Sequence, residues 1–393
     1  MRAAVVERAG EPPRVVDRAV PLTGDGELRV TVTAVPITPL DLLCASGTSY
    51  FGLPAFPYVP GVQGVGRLAD GTPVWFPTDA GMKPGDGSMA EQAVVPAAAV
   101  ARLPADVDHR LVAALGLSAV AAWHALTDRG GLAAGEQVLV LGAGGVVGQA
   151  AIQIAKLHGA RRVVAAARSV AARERAHRAG ADVVVAVHPR DDVTALARRF
   201  GDAAGGPVDL VLDPVFGLPG AAALRTLGVG GRLVNLGSAA ADTAPLDSAT
   251  LRSRSLRVLG YTNAELSPER TARTISEIAR HAAAGRLTVA YEHLPLEAAT
   301  DAWHRQATGD VPGRIVLTAG FGRAAPGRAA GMIATELLDR VFVGEERLSS
   351  DEIHRRMVAL DPPADVLIAF DHLPEGEYSV DEVAEIIGTE EPI

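Results

Sequence analysis

Four closely spaced glycines carry the clearest chemical signal in this sequence. They follow Gln137–Leu141, a short run rich in Val and Leu of the kind that forms buried strands in parallel sheets. A helix-like apolar pattern comes directly after them. Glycines let the backbone turn tightly and approach a pyrophosphate, while the free N–H groups of a helix's first turn face its negative charge. The order strand, glycine turn and helix predicts a dinucleotide site formed by Gly142, Gly144, Gly145, Val146, Val147 and Gly148.

The glycine spacing alone leaves a second interpretation open. Glycines 142, 145 and 148 read G-x-x-G-x-x-G, which departs from the usual G-x-G-x-x-G. A glycine-rich corner between a strand and a helix also occurs without any ligand. The elements that follow the corner favour the dinucleotide interpretation, because they alternate as the surrounding fold requires.

The residues about 20 positions beyond the glycine turn indicate which nicotinamide nucleotide would bind, because an acidic side chain there binds the ribose of NAD. Ala167, Arg168 and Ser169 stand at this point, followed by Arg173. Guanidinium groups suit the 2′-phosphate of NADPH. We therefore predict that Arg168, Ser169 and Arg173 select NADPH. The alternative is that Arg173 only solvates a helix in an Arg-rich protein.

Alternating strand and helix patterns after the glycine turn predict a doubly wound parallel sheet, which binds ligands at the carboxyl ends of its strands. Asp213 and Gly237–Ser238 end later strands, so we expect them to line the same crevice; ordinary strand-end turns are the alternative. The predicted strands are Arg162–Ala166, Val183–Val187, Val208–Leu212, Arg232–Leu236 and Leu256–Leu259. The predicted helices are Val170–Ala179, Asp192–Phe200, Gly220–Leu227 and Leu266–Ala284.

Residues 1–100 have a different character. Arg29–Val35 alternates polar and apolar residues as a half-buried strand does, Thr72–Phe76 reads as a second strand, and Pro and Gly punctuate the sequence between them. This pattern predicts a β-rich domain with irregular loops, where substrate contacts usually lie. Leu287–Leu317 returns to a strand, helix, strand pattern.

Composition excludes several classes of function. The 393 residues suffice for two domains and a small third, and the net charge of −9 is concentrated in the tail, where sixteen Asp and Glu face six Arg from residue 321 onward. The rest is not basic enough for a nucleic-acid binder. The only cysteine, Cys44, allows no intrachain disulfide, which fits a reducing cytoplasm. The apolar stretches are too short or too interrupted for a membrane span.

Residues 1–320 resemble a medium-chain dehydrogenase/reductase. The resemblance is carried, in order, by RVTVTAVPITPLDLLCASG, FPYVPGVQGVGRL, LVAALGLSAVAAWHAL, GEQVLVLGAGGVVGQAAIQIAKLHGA, DLVLDPVF, GGRLVNLGS and GRIVLT. It implies a GroES-like catalytic domain of residues 1–118 and 286–320, with a Rossmann domain of residues 119–285 inserted in it. It also implies that the loop after Asp213 and the turn at Gly237–Ser238 lie near the nicotinamide.

The resemblance points to the zinc-free branch of this family. At the positions where zinc-dependent members carry ligands, this chain has Thr38, Val62 with Gln63, and Leu115. None of these supplies a thiolate or an imidazole, so a tetrahedral zinc site cannot form there. We therefore predict no bound metal, and the resemblance implies a quinone oxidoreductase or an enone or enoyl reductase.

Without a metal ion to polarise a carbonyl, hydride delivery to the β-carbon of a quinone or an α,β-unsaturated carbonyl is favoured, because hydrogen-bond donors can hold the distant oxygen. The leading hypothesis is an NADPH-dependent reductase of such small molecules. A second is a pathway-specific enoyl or carbonyl reductase of secondary metabolism. A third, of another class, is a nucleotide-binding scaffold whose catalysis has decayed.

The resemblance also suggests the groups that assist catalysis. Tyr50, in SGTSY, lies one residue from the position where reductases of this branch often carry a Tyr that donates a proton. Thr38 stands where relatives often have Asn, and its hydroxyl could hold the nicotinamide ribose or a substrate oxygen. Asp41 is expected to order this loop by binding backbone N–H groups. Packing is the alternative role for Tyr50.

The last part of the chain has another composition. Residues 321–331 form a linker, and residues 332–393 form an acidic tail with helical periodicity that resembles small helical bacterial domains of unknown function. The tail either binds a protein partner or stabilises the protein, or it covers the body as a lid. The family resemblance implies a homodimer, with Leu256–Leu259 as the edge strand that a second copy would pair with.

Overall fold

The computed structural model divides the chain into two compact units, Met1–Ala319 and Gly320–Ile393, and each is described by itself. Most of the first unit is described, whereas the predicted linker 321–331 and much of the tail lie outside the described part of the chain. The described residues are 1–49, 51–309, 311, 313–319, 338, 341–342, 347–360, 376–380 and 382–383.

One sheet of the first unit joins two distant parts of the chain. Within the described residues its strands are β3 (Glu27–Pro36), β4 (Gln63–Arg67), β5 (Pro73–Pro77), β6 (Gln92–Pro96), β7 (Ala101–Arg102), β14 (Tyr291–Pro295) and β15 (Arg314–Thr318). Their order is β14-β15-β3-β4-β5-β7, with β6 also paired to β3. β15 runs antiparallel to β3, with Val316 opposite Pro36. A separate hairpin pairs β1 (Arg2–Val5) with β2 (Arg14–Asp17).

The second sheet is the parallel one that the sequence predicts. Its strands in the described residues are β8 (Gln137–Val140), β9 (Arg162–Ala167), β10 (Val183–Ala186), β11 (Val208–Asp213), β12 (Leu227–Asn235) and β13 (Arg257–Gly260). They pair in the order β10-β9-β8-β11-β12-β13, all parallel. The strand order reverses between β8 and β11, and ligands of such sheets bind at this switch point. The predicted Rossmann fold is confirmed.

Helices cover both faces of the parallel sheet, and this explains why its strands are apolar on both sides. Leu196 and Phe200 of α5 pack on one face, and Ile152 and Ile154 of α3 pack in the core of the other. The helices of the first unit are α1 (Pro39–Ser46), α2 (His109–His124), α3 (Val146–Leu157), α4 (Val170–Arg178), α5 (Val193–Ala204), α6 (Gly217–Leu224), α7 (Ser248–Ser253), α8 (Pro268–Ala283) and α9 (Ala299–Thr308). Short 3-10 turns occupy Ala97–Ala99, Asn263–Glu265 and Leu296–Ala298.

Helix α2 continues into a π-helical turn, Ala125–Arg129. His109–Arg129 is long and apolar enough to cross a membrane by length and composition, with a mean hydropathy of 1.4, but 61% of that stretch is buried inside the fold. The helix also bends at Gly116, whose φ of 33° and ψ of −136° are not helical. It is therefore a core helix, which packs on the seven-stranded sheet and on helices α3 and α8.

The element boundaries differ from the sequence prediction in a few places. α6 begins at Gly217 and ends at Leu224, three residues earlier at each end than predicted; it follows directly the turn in which Asp213 accepts hydrogen bonds from the N–H groups of Val215 and Phe216. The hairpin β1–β2 and helix α7 were not predicted, since both are too short for a clear period. β12 begins at Leu227, five residues before its predicted start at Arg232. The other predicted helices and strands of the first unit are present within four residues of their expected limits.

The second unit has a small core of its own. Helix α10 (Ser350–Ala359) begins at the N-cap Ser349, whose hydroxyl accepts from the N–H of Glu352 at 3.3 Å. Strands β16 (Leu348–Ser349) and β17 (Glu377–Tyr378) pair antiparallel. Most of the acidic tail for which the sequence predicts helical segments lies outside the described residues. The buried apolar side chains are Leu338, Val341, Phe342, Leu348, Ile353, Met357 and Val383.

Candidate functional site

The glycine turn after β8 has a separate physical reason for each glycine. Gly142 has φ 58°, in the left-handed region that favours glycine. Gly144 faces Ala172 of α4, and an added Cβ would overlap that side chain. On Gly148 a Cβ would lie 2.5 Å from the Cα of Ala143, so this glycine lets α3 pack close to the turn. Gly145 is exposed, and an added Cβ would make only ordinary van der Waals contact with the carbonyl oxygen of Gly142 at 3.5 Å.

The amino end of α3 fits an anionic ligand. Gly145 is its N-cap, and no side chain caps this end. The N–H groups of Val146, Val147 and Gly148 belong to the first turn, which has no intrahelical acceptors. These donors and the positive end of the helix dipole face the exposed Gly145. The residues predicted to bind the pyrophosphate therefore form one turn at the switch point.

The three residues predicted to select the nucleotide lie together after β9. Ser169 is the N-cap of α4, and its hydroxyl accepts from the N–H of Ala172 at 3.1 Å. The side chain of Arg173 donates through Nη1 to the carbonyl of Arg168 at 2.7 Å. Arg168 and Ser169 are exposed and Arg173 is half-buried. β9 is the direct neighbour of β8, so this cluster and the glycine turn lie at the same edge of the sheet.

Arg175 also reaches the glycine turn, although its sequence context did not single it out. Its Nε donates to the carbonyl of Gly144 at 2.9 Å, and burial lowers the pKa of its guanidinium group. Arg175 lies three positions after Ala172, so both project from one face of α4 towards Gly144. That spacing was the available signal, but it carries little weight in a chain with so many arginines.

The turn after β11 packs between the glycine turn and the turn after β12. On one side, a Cβ on Gly142 would lie 2.9 Å from Cγ1 of Val215. On the other, a Cβ on Gly237 would lie 2.8 Å from the carbonyl oxygen of Pro214. Ser238 follows and is exposed. Small residues at 142 and 237 therefore let three strand-end turns meet at the switch point.

Asp213 holds the middle turn in place. Its Oδ1 accepts from the N–H groups of Val215 at 3.0 Å and Phe216 at 2.7 Å. Its Oδ2 is buried without a hydrogen-bond partner among the described residues. Burial raises the pKa of Asp213, against the opposing effect of the two N–H groups. The side chain of Asn235 adds hydrogen bonds to the carbonyls of Asp213 at 3.1 Å and Gly237 at 2.8 Å.

The predicted catalytic Thr38 belongs to a closed hydrogen-bond network. It is the N-cap of α1, and its hydroxyl donates to Oδ2 of Asp41 at 2.6 Å. The same Oδ2 accepts from the N–H of Thr38 at 2.8 Å, and Oδ1 accepts from the N–H groups of Gly61 at 3.1 Å and Val62 at 2.9 Å. The one proton of the Thr38 hydroxyl is therefore committed, and this group can only accept from a ligand.

Arg314 ties this network to other elements. Its Nη1 donates to the carbonyl of Ile37 at 2.9 Å and its Nη2 to Oγ of Ser118 at 3.0 Å. Burial lowers the pKa of Arg314 to about 10, although the charge of Asp41 opposes the change. Burial also raises the pKa of Asp41, against hydrogen bonds from Thr38 and Val62. Arg314 could not be singled out from the sequence, because its partners lie far away in the chain.

The remaining candidates near this network have packing roles or lie outside the description. Tyr50 lies outside the described residues, so its predicted role stays a prediction. Tyr58 and Trp75 lie near this network but are 3% and 0% exposed and belong to the core, so they do not line an open substrate site. Burial raises the pKa of Tyr58. Trp123 packs edge-on against His158, with ring centroids 5.0 Å apart.

The residues at the positions where zinc-dependent relatives carry ligands make other contacts in this chain. Gln63 accepts through Oε1 from the indole N–H of Trp75 at 3.1 Å and from the N–H of Leu117 at 2.8 Å, beside the bend at Gly116. Leu115 is fully buried. Among the described residues there is no group of three or more His, Cys, Asp or Glu that could hold a metal ion.

Comparisons with known proteins agree with this geometry. Residues 146–292 match the family model described as zinc-binding dehydrogenase, a segment that includes none of the positions discussed for zinc. The structure is similar to the quinone oxidoreductase from Thermus thermophilus, which has also been solved in complex with NADPH. The identity is 30%, the TM-score is 0.67, and the match covers 81% of this chain and 100% of that one.

Two curated relatives extend the comparison. The chain is 32% identical over 341 residues to a phenolphthiocerol/phthiocerol polyketide synthase of Mycobacterium tuberculosis. This match covers 81% of this chain but only 15% of that synthase. It is 36% identical over 173 residues to the quinone oxidoreductase of Pongo abelii, covering 40% of this chain and 50% of the relative. The chain thus spans half or less of the length of these curated relatives.

Proposed function

Because the chain belongs to the medium-chain dehydrogenase/reductase superfamily, in its zinc-independent quinone oxidoreductase branch, we propose that it transfers hydride from NADPH to a quinone or an α,β-unsaturated carbonyl. The observation that carries this proposal is the uncapped amino end of α3 at the switch point, one strand from a pair of arginines. A doubly wound sheet with this arrangement suits a phosphorylated dinucleotide.

The cofactor-binding residues would act on different parts of the dinucleotide. The turn from Gly142 to Gly148 would receive the pyrophosphate on the first N–H groups of α3. Arg168, Ser169 and Arg173 would hold the 2′-phosphate, and Arg175, with its Nε on the carbonyl of Gly144, would add positive charge beside them. The middle turn at Asp213 and the turn at Gly237–Ser238 would border the nicotinamide.

NADPH supplies the hydride, and the protein's own groups position the acceptor and exclude water. The Thr38 hydroxyl would accept a hydrogen bond, since its proton is held by Asp41. A donor for the developing oxyanion must therefore come from another group, and the phenol of Tyr50 is our candidate, because it stays protonated at neutral pH.

A second candidate function is enoyl reduction in secondary metabolism. The match to the polyketide synthase covers 81% of this chain, twice the share matched by the Pongo abelii quinone oxidoreductase. Enoyl thioesters and quinones both receive hydride at a carbon conjugated to a carbonyl, so the same site would serve either acceptor.

The test is a titration with NADPH and NADH followed by an acceptor screen. We expect tighter binding of NADPH, and loss of its absorbance with 1,4-benzoquinone, 2-cyclohexenone or crotonyl-N-acetylcysteamine. Preference for the thioester would favour the second candidate. Tight NADPH binding without turnover on any acceptor would favour the nucleotide-binding scaffold instead.

We also propose that residues 1–118 and 286–320 form the catalytic domain and that residues 119–285 form the nucleotide domain. The two sheets support this division, since one takes its strands from 27–102 and 291–318 and the other from 137–260. Expression of 119–285 alone tests it, because an independent domain would fold cooperatively and retain NADPH binding.

A homodimer is proposed through β13. In this strand Arg257 and Val258 are exposed, and no strand in the described residues pairs with its outer edge. An open edge can pair with the same strand of a second copy about a two-fold axis. A monomer in light scattering at micromolar concentration would contradict this.

A further inference from the structure

Helix α3 is joined by two glutamines to the chain segment that returns to the seven-stranded sheet. Gln149 donates through Nε2 to the carbonyl of Gly144 at 3.0 Å, and its Oε1 accepts from the N–H of Ala290 at 2.9 Å. One turn later, Gln153 donates to the carbonyl of Thr288 at 2.6 Å and accepts from the N–H of Thr288 at 3.0 Å. Only Gln149 also contacts the glycine turn.

The hydrogen bonds continue from Ala290 to the Thr38 network. The carbonyl of Ala290 accepts from the N–H of Arg314 at 3.0 Å. The side chain of Arg314 then donates to the carbonyl of Ile37, which directly precedes Thr38. Gly313 packs on the carbonyl of Ala290 so closely that a Cβ would overlap it. The path therefore has little free space in which a shift could be absorbed.

Gln149 is suited to transmit a displacement. It is 4% exposed, and its single rigid carboxamide is bonded at both ends, so it fixes the distance between Gly144 and Ala290. Arg314 is 5% exposed and is held equally firmly. A chain of buried groups with fixed hydrogen bonds is a physical means of coupling two sites, and its test is a measured coupling.

We propose that Gln149 is a positioning residue that couples occupancy of the glycine turn to the geometry of the Thr38 loop, through Ala290 and Arg314. The inference rests on the proposed binding of NADPH at that turn. Its consequence is that the Thr38 loop becomes ordered for hydride transfer when the cofactor binds.

Hydrogen–deuterium exchange of the full chain, with and without NADPH, tests this without any acceptor. In the unmodified protein we expect NADPH to slow exchange at 142–148 and also, by roughly fivefold or more, at 36–42 and 314–318. In Gln149→Leu the protection at 142–148 persists, while that at 36–42 falls below about twofold.

Gln153→Leu is the matched control. It removes a similar pair of hydrogen bonds from the same helix but leaves the contact with Gly144 intact, so NADPH should still protect 36–42. Gln149→Glu guards against a variant that fails to fold, because its carboxylate still accepts from Ala290 but cannot donate to Gly144. It should also lose the protection at 36–42.

The outcomes separate the two proposals. Absence of protection at 142–148 in the unmodified protein refutes NADPH binding at the turn, and the coupling with it. Protection at 142–148 without any at 36–42, or equal protection in Gln149→Leu, Gln149→Glu and Gln153→Leu, overturns the role of Gln149 and leaves the proposed function standing.

Discussion

The glycine turn after β8 and the Thr38 turn before α1 both begin a helix, yet they treat their backbone donors in opposite ways. The glycine turn has no side-chain cap, so the first N–H groups of α3 are left for a ligand. The Thr38 turn carries its own carboxylate, and Asp41 satisfies three N–H groups and a hydroxyl. The first turn is built to receive an anion, and the second already contains one.

This difference indicates that the glycine turn is suited to binding a ligand and the Thr38 turn to holding its own loop in place. A turn with unmet donors gains its remaining stability from the ligand, whereas a turn with a built-in anion already has its N–H groups satisfied before any ligand binds. The glycine turn is therefore expected to respond to occupancy, and the Thr38 turn to resist change unless another element moves it. Four predictions test this contrast, from the largest expected effect to the smallest.

Removing the built-in anion should have the largest effect. Asp41→Ala leaves buried N–H groups and the charge of Arg314 without their partner, so we expect a loss of about 3–5 kcal/mol in the free energy of unfolding. Urea denaturation followed by Trp fluorescence measures it. Asp41→Asn keeps an acceptor and should lose less. A loss below about 1 kcal/mol for the Ala variant would show that the network contributes little.

Filling the space beside the glycine turn should have the next largest effect. Gly144→Ala places a methyl group against Ala172, and we expect about 1–3 kcal/mol of destabilisation together with weaker NADPH binding. Thermal unfolding and a fluorescence titration measure the two effects. Gly145→Ala is the control for folding, because a methyl group there makes only ordinary van der Waals contact with the carbonyl oxygen of Gly142. Equal unfolding temperatures for the two variants would contradict the packing account.

Removing one phosphate donor should affect one nucleotide only. For Arg173→Ala we expect about tenfold weaker binding of NADPH and unchanged binding of NADH, since a hydrogen bond to a charged group contributes about 1.5–3 kcal/mol. Arg178→Ala, at the exposed end of the same helix, is the matched control. If both variants weaken NADPH alike, the effect is one of general charge, and high salt should remove it.

The smallest expected effect is a change in pH dependence. Because burial raises the folded-state pKa of Asp213 above the ordinary 3.8, the folded protein binds more protons than the unfolded chain in the window above 3.8. Stability should therefore fall there as pH rises. Asp213→Asn keeps the acceptor for Val215 and Phe216 and should remove this part of the slope, measured as unfolding temperature against pH. An unchanged slope would assign the dependence to other groups.

The position of the glycine turn and of the arginines near it could be predicted from the sequence. Glycine spacing, strand order and the arginines after β9 are local patterns, and the structure brings Gly142–Gly148, Arg168 and Arg173 to one edge of the sheet. NADPH as cofactor was predicted from the residues after β9, and the zinc-independent branch from the family resemblance together with Thr38, Gln63 and Leu115; both are confirmed.

The hydrogen-bond network around Thr38 and Asp41 could be predicted only in part, because its contacts join residues that are far apart in the chain. Asp41 was expected to bind backbone N–H groups, but its partners Gly61 and Val62 lie 20 and 21 positions away, and Arg314 reaches Ile37 across 277 positions. No period or motif encodes such pairs. Thr38 was predicted as a site residue without the knowledge that Asp41 holds its proton, and the role of Tyr50 stays a prediction.

The way β15 closes the first sheet has a consequence for synthesis on the ribosome. β3 pairs with β15 only at Val35 and Pro36, so this end of β3 stays unpaired until a strand about 280 residues later has been made. At roughly 5–20 residues per second this delay is on the order of 15–60 s. The inserted parallel sheet, whose strands are contiguous in the chain, can form during that interval. The seven-stranded sheet, whose first strands are made before the parallel sheet, is therefore completed last. Until then the nascent chain exposes the unpaired end of β3 at Val35 and Pro36, which a chaperone could cover.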